Sequence, residues 1–179
     1  PALELGKSPE HLAFAGTVSL RATTLIAIME DVVSSLARHG FRHFAFLNGH
    51  GGNTALLQSM AFDLQERFNV KVYNIDLWGS SFFDPVISDV FPDLAGTEVH
   101  AGSVETAMLL YLCPNLVKTA PKIEAPTSFA SRLASGWAAQ EFHPSGVIGD
   151  PSKASVESGA RFFDYAIQWV SDILLSIAT

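Results

Sequence analysis

Between residues 22 and 40 the chain reads ATTLIAIMEDVVSSLARHG, and its apolar positions Leu25, Ile28, Met29, Val32, Val33 and Leu36 fall at helical spacing. That spacing predicts an amphipathic helix, closed by Gly40 just past its end. The stretch before it, TVSL (17–20), predicts a short strand. After it, FRHFAFLN (41–48) is apolar without a helical period and predicts a buried strand. NTALLQSMAFDLQERF (53–68) returns to the helical period through Leu56, Leu57, Met60, Ala61 and Leu64, and VKVYNIDLW (70–78) predicts the next strand. A strand, a glycine-rich turn, a helix and a strand form a βαβ unit with a parallel sheet and a right-handed crossover. The fold class is therefore α/β.

The second half of the chain is less regular. GSSFFDPVISDVFPDLAGTEVH (79–100) is rich in Ser, Asp, Gly and Pro and reads as a long loop with room for one turn of helix. Loops of that length in compact domains usually carry function. GSVETAMLLYLC (102–113) predicts a helix that Pro114 cannot continue. Residues 115–150 read as irregular, with extended pieces at 123–125 and 145–148. A last helix begins after Ser155, with Phe162, Phe163, Ala166, Ile167, Val170, Ile173 and Leu174 as its apolar stripe.

At 179 residues and 48% apolar content the chain can bury one core, so residues 1–179 read as a single domain. The net charge of −7 and the scattered basic residues argue against a nucleic-acid partner. The single cysteine, Cys113, excludes an internal disulfide and suits a reducing compartment; it reads as a small buried hydrophobe. No run approaches the roughly 18 apolar residues of a membrane span, and no basic-then-apolar leader opens the chain. These features read as a soluble, cytoplasmic protein with no membrane partner. The opening PALELGKSPEH has no cap and no recognisable element, which suggests a segment upstream.

Chemistry concentrates in two places. In FLNGHGGNTALLQ (46–58), His50 stands among Gly49, Gly51 and Gly52 where the first strand of the βαβ unit ends, the usual position of a ligand site in an open parallel sheet. The glycines leave little bulk around the imidazole and permit positive φ, and Asn53 is placed to cap the next helix. A plain strand-to-helix turn has the same pattern, whereas a phosphate site is disfavoured because neither dinucleotide nor P-loop glycine signature is present. In TEVHAGSVETA (97–107), Glu98, His100 and Glu105 lie where the long loop meets a helix. Glu105 suits the first helical turn through the helix dipole alone. Imidazole and carboxylate are also the usual ligands of zinc and related ions, and His50 with Glu105 would make half of a hydrolytic metal set. His100 fits either a further ligand or an acid–base group. His39 and His43 read as solvated or capping residues, His143 has an uninformative context, and His11 precedes Gly16 and Thr17, small residues that fit a substrate wall or an ordinary loop.

Taken in order, HLAFAGTVSL, FRHFAFLNGHGGN, HAGSVETAMLL and GVIGDPSKAS resemble the creatininase family of metal-dependent amidohydrolases, from about residue 8 to the C-terminus. The resemblance implies a three-layer α/β fold, a Rossmann-like mostly parallel sheet with helices on both faces. It implies a homohexamer with two divalent ions (Zn, Mn or Fe) at the carboxyl ends of the strands. It also implies His50 and Glu105 as metal ligands, His100 as the catalytic histidine, and Gly16, Thr17 and Gly51 on the substrate side.

Two departures from the family pattern qualify this. The first family motif, a Glu, a His two residues on and a later Asp, would precede SPEHLAF and is not in the sequence. Creatinine hydrolases carry Tyr-Glu after the motif histidine and a Trp four residues before the catalytic one, where this chain has Gly51, Gly52 and Gly96. The expectation is hydrolysis of a C–N bond in a small or cyclic amide other than creatinine, with Trp78 and Trp137 serving mainly in packing. The rival is a noncatalytic oligomeric or small-molecule binding protein on the same scaffold.

Overall fold

The computed structural model describes residues 1–94, 99–118 and 136–178. The chain divides into two compact units. The first comprises Pro1–Pro9, Val18–Phe82 and Val170–Thr179, the second Glu10–Thr17 and Phe83–Trp169.

The first unit is built on helix α1 (Ala22–Arg38), strand β1 (His43–Asn48), helix α2 (Thr54–Phe68) and strand β2 (Lys71–Asp76). The strands pair in parallel, with Phe44 opposite Val72 and Asn48 opposite Asp76. The α/β class and the parallel sheet are thus as the periodicity predicts. Gly40 has φ +91° after the end of α1, and Asn69 closes α2 in the left-handed region. The core joins Leu25, Met29 and Val33 of α1 to Leu57, Met60, Ala61 and Leu64 of α2 and to Phe44, Val70 and Val72 on and beside the strands. Each of the larger side chains, Ala61 apart, contributes about 1.5–3 kcal/mol when fully withdrawn from water.

Two expectations in this unit fail. Residues 17–20 form no strand, because their backbone pairing is limited to single contacts such as the Leu20 N–H to the Gly6 carbonyl at 2.8 Å. Strand β1 is not buried throughout: Phe44 and Asn48 are buried, whereas His43, Ala45 and Leu47 are exposed. Successive strand residues point to opposite faces, and the core engages only one of them.

Helix α3 (Ser80–Val90) begins in the first unit and continues into the second. It replaces the expected long loop. Phe82, Val86, Ile87 and Val90 are all buried at helical spacing, and that stripe outweighs the Ser, Asp and Pro content; Pro85 sits inside the helix. A 3-10 turn, Pro92–Leu94, follows.

Helix α4 (Ser103–Leu112) and helix α5 (Val156–Ala178) match their expected spans. The predicted stripe on α5 is only partly buried. Gly159, Phe162 and Ala166 are enclosed, but Ile167 and Leu174 are exposed. Gly159 lies so near α4 that an added Cβ would collide with the Ala107 carbonyl oxygen. Cys113 is exposed rather than buried, because it caps α4 beside the equally exposed Leu112. Of the two expected extended pieces, 123–125 lies outside the described residues, and 145–148 contributes only an isolated antiparallel bridge between Ile148 and His100. Among the described residues no helix is long and apolar enough to cross a membrane.

Candidate functional site

In the first unit the parallel register brings the carboxyl ends of both strands to one place, and the turn holding His50 starts there. His50 is extended (φ −144°, ψ 123°) and precedes a 3-10 turn, Gly51–Asn53, whose Asn53 N–H returns to the His50 carbonyl at 3.0 Å. The glycines do not use the expected positive φ: among the described residues the glycines with positive φ are Gly16, Gly40, Gly146 and Gly149. What Gly51 supplies is space, since an added Cβ would meet nothing within 4 Å.

Asn53 stands at the start of α2 but its side chain does not cap the helix. It accepts from the Lys7 N–H at 2.9 Å and donates to Asn48 Oδ1 at 3.3 Å. Half-buried His50 borders a cavity of about 730 Å3 that is walled chiefly by apolar residues such as Leu25, Met29 and Phe44, with Asn48 and Asn53 also on its lining. Trp78 donates from Nε1 to the Gly49 carbonyl at 2.7 Å and so braces the same turn.

In the second unit His100 and Glu105 meet. His100 exchanges two backbone hydrogen bonds with the buried Ile148, at 3.0 and 2.8 Å, which fix its main chain. Ala101 then takes φ +52°, an uncommon conformation for a residue with a Cβ, and its N–H donates to Glu105 Oε2. This turn brings Glu105 Oε2 to 3.9 Å from His100 Nδ1, too long for a hydrogen bond. Glu105 lies in the first turn of α4, as its helix-start position predicts. The buried Ser103 hydroxyl donates to the Asp150 carbonyl, tying the start of α4 to the GVIGDPS segment.

The other face of His100 is covered by His11. Their rings stack at 4.3 Å with 22° between planes, and Glu10 Oε1 approaches His11 Nδ1 at 3.6 Å. Sequence reasoning gave His11 only a place near a substrate wall and passed over Glu10; the adjacency of an acid and an imidazole in SPEH was the available signal. Gly16 is exposed with φ +92°, and the Thr17 N–H closes a turn on the Phe14 carbonyl at 3.1 Å. Trp137 packs edge-on against Phe142, as expected of a packing residue. Glu98 and Gly96 lie outside the described residues.

A family model described as creatininase, creatinine amidohydrolase, matches residues 1–174. The chain belongs to the creatininase family. It is 32% identical over 186 residues to a mycofactocin precursor peptide peptidase of Mycobacterium ulcerans (strain Agy99), a match covering 99% of this chain and 64% of that protein. It is 27% identical over 170 residues to a creatinine amidohydrolase of Pseudomonas putida, covering 90% of this chain and 65% of that protein. The chain therefore spans less than two thirds of the length of these curated relatives. Among solved structures, a crystal structure of creatininase superposes with a TM-score of 0.77 at 24% identity, over 97% of this chain and 73% of that one. That likeness establishes the creatininase fold. A manganese creatininase and a zinc–zinc type mutant each match with a TM-score of 0.69 at 26% identity, over 90% of this chain and 66% of theirs.

The donors in this creatininase-family chain fit such ions. His50 in the first unit, and His100 and Glu105 in the second, offer imidazole nitrogens and carboxylate oxygens, ligands suited to zinc, manganese and iron.

Proposed function

We propose that the intact protein is a metal-dependent amidohydrolase, with residues 1–179 acting as one creatininase-like α/β domain. The substrate is a small amide or peptide whose C–N bond is cleaved. His50 and Glu105 each hold a divalent ion, Zn, Mn or Fe. Bound divalent ions supply a water acidified toward neutrality and a polarised carbonyl. His100 gives a proton to the leaving nitrogen or steadies the developing oxyanion. The Ile148 bridge holds its backbone, and the His11 ring stacked on it restricts its rotation.

The observation that carries this reading is the approach of His100 to Glu105 across a strained turn, in a chain of the creatininase family. Gly51 and Gly52 stand where creatinine hydrolases carry Tyr-Glu, so creatinine is not the proposed substrate. Gly16, Thr17 and Gly51 are proposed to border the substrate. The resemblance also supports a homohexamer, and the exposed Leu109, Leu112 and Leu116 around the end of α4 would suit subunit contact.

The test is metal analysis alongside activity on an amide and peptide panel. His50→Ala and Glu105→Ala should lower metal content and activity together. His100→Ala should keep its metal and lose about 100- to 10,000-fold in rate. Full activity in His100→Ala would sink the role assigned to it. Wild-type protein that binds the panel without hydrolysing it would favour the noncatalytic binder.

A further inference from the structure

We infer that Asp76 is a positioning residue for His50, acting through the side chain of Asn48. The inference rests on the proposed role of His50 as a metal ligand. Asp76 ends β2 directly opposite Asn48 at the end of β1. Its Oδ2 accepts from the Thr54 hydroxyl at 2.6 Å, and its Oδ1 accepts from Asn48 Nδ2 at 3.3 Å and from the Trp78 N–H at 3.0 Å. Asn48 is only 3% exposed, so the direction of its amide is set by its protein partners.

A carboxylate only accepts, whereas an amide has one accepting and one donating end. Asp76 therefore claims the Nδ2 end of Asn48, which also donates to Thr54 Oγ1 at 3.2 Å. The Oδ1 end is left facing the turn. There it accepts from the His50 N–H at 3.2 Å and from Asn53 Nδ2 at 3.3 Å. The order of donors and acceptors thus runs from Asp76 through Asn48 to the backbone of His50 without a mismatch. Replacing Asp76 by Asn removes the feature that fixes this order, because a flipped Asn48 would then set its NH2 group against the His50 N–H.

The experiment measures zinc and manganese affinity of the intact protein by chelator competition, together with the amide exchange rate of His50 by NMR. Asp76→Asn should weaken metal binding about 10- to 100-fold, the range for groups that orient a ligand, and should speed His50 amide exchange. Thr54→Val should shift both in the same direction, and Thr54→Ser, which keeps the hydroxyl, should restore them. The Thr54 pair carries the test if Asp76→Asn fails to fold. A purely structural role would lower the melting temperature and leave metal affinity and His50 exchange unchanged, which would overturn the inference. If His50→Ala binds metal as tightly as wild type, the metal-ligand reading fails instead, and unchanged His50 exchange in Asp76→Asn would then overturn the positioning role separately.

Discussion

Ala101 holds φ at +52° between the His100 bridge and the start of α4, and its N–H serves Glu105. A Cβ in that conformation costs about 1–2 kcal/mol. Ala101→Gly should therefore raise stability by up to about 1 kcal/mol in urea unfolding, after the added freedom of the unfolded glycine is counted; a drop in stability would contradict the strain. Tyr165 gives a second test in the same unit. Asp89 accepts its hydroxyl proton at 2.8 Å, and this hydrogen bond, with lesser help from burial and the Asp89 charge, raises its pKa above 10.0 against the opposing Arg161. The folded value lies above the unfolded one, so the contribution is complete below the ordinary tyrosine range and is lost as pH rises through the raised value. Absorbance titration should show Tyr165 ionising late, with Asp89→Asn bringing it back toward 10. His50, His100 and Glu105 were legible as candidates from residue type beside a glycine turn and a helix start. The stacking of His11 on His100 and the pairing of Asn48 with Asp76 were not, because tertiary structure joins residues far apart in sequence.

At the scale of elements, periodicity located α1, α2, α4, α5 and both strands, but it lost α3. Pro85 and the surrounding Ser and Asp residues signalled a loop, while the buried Phe82, Val86, Ile87 and Val90 stripe decided the outcome. Composition likewise made FRHFAFLN look buried, when only alternate β1 side chains reach the core. Spacing alone could not reveal how closely α4 and α5 approach. Gly159→Ala would force its methyl against the Ala107 carbonyl, where backbone cannot yield cheaply. It should cost about 1–3 kcal/mol by thermal or urea unfolding; an unchanged midpoint would show that the helices can separate without loss.

For the molecule as a whole, the α/β class was legible because a βαβ unit has few alternatives once a glycine turn separates a strand from an amphipathic helix. The presence of two compact units was not, since Glu10–Thr17 joins the second unit across a long stretch of chain. The claim that matters most is that imidazole and carboxylate groups in this chain serve metal-dependent amide hydrolysis. The most direct measurement is the rate of hydrolysis across an amide and peptide panel by the intact protein before chelation, after chelation, and after zinc or manganese is restored. Hydrolysis of at least one panel member is expected, with its loss on chelation and its return with either ion. Hydrolysis that persists in fully metal-free protein would contradict it.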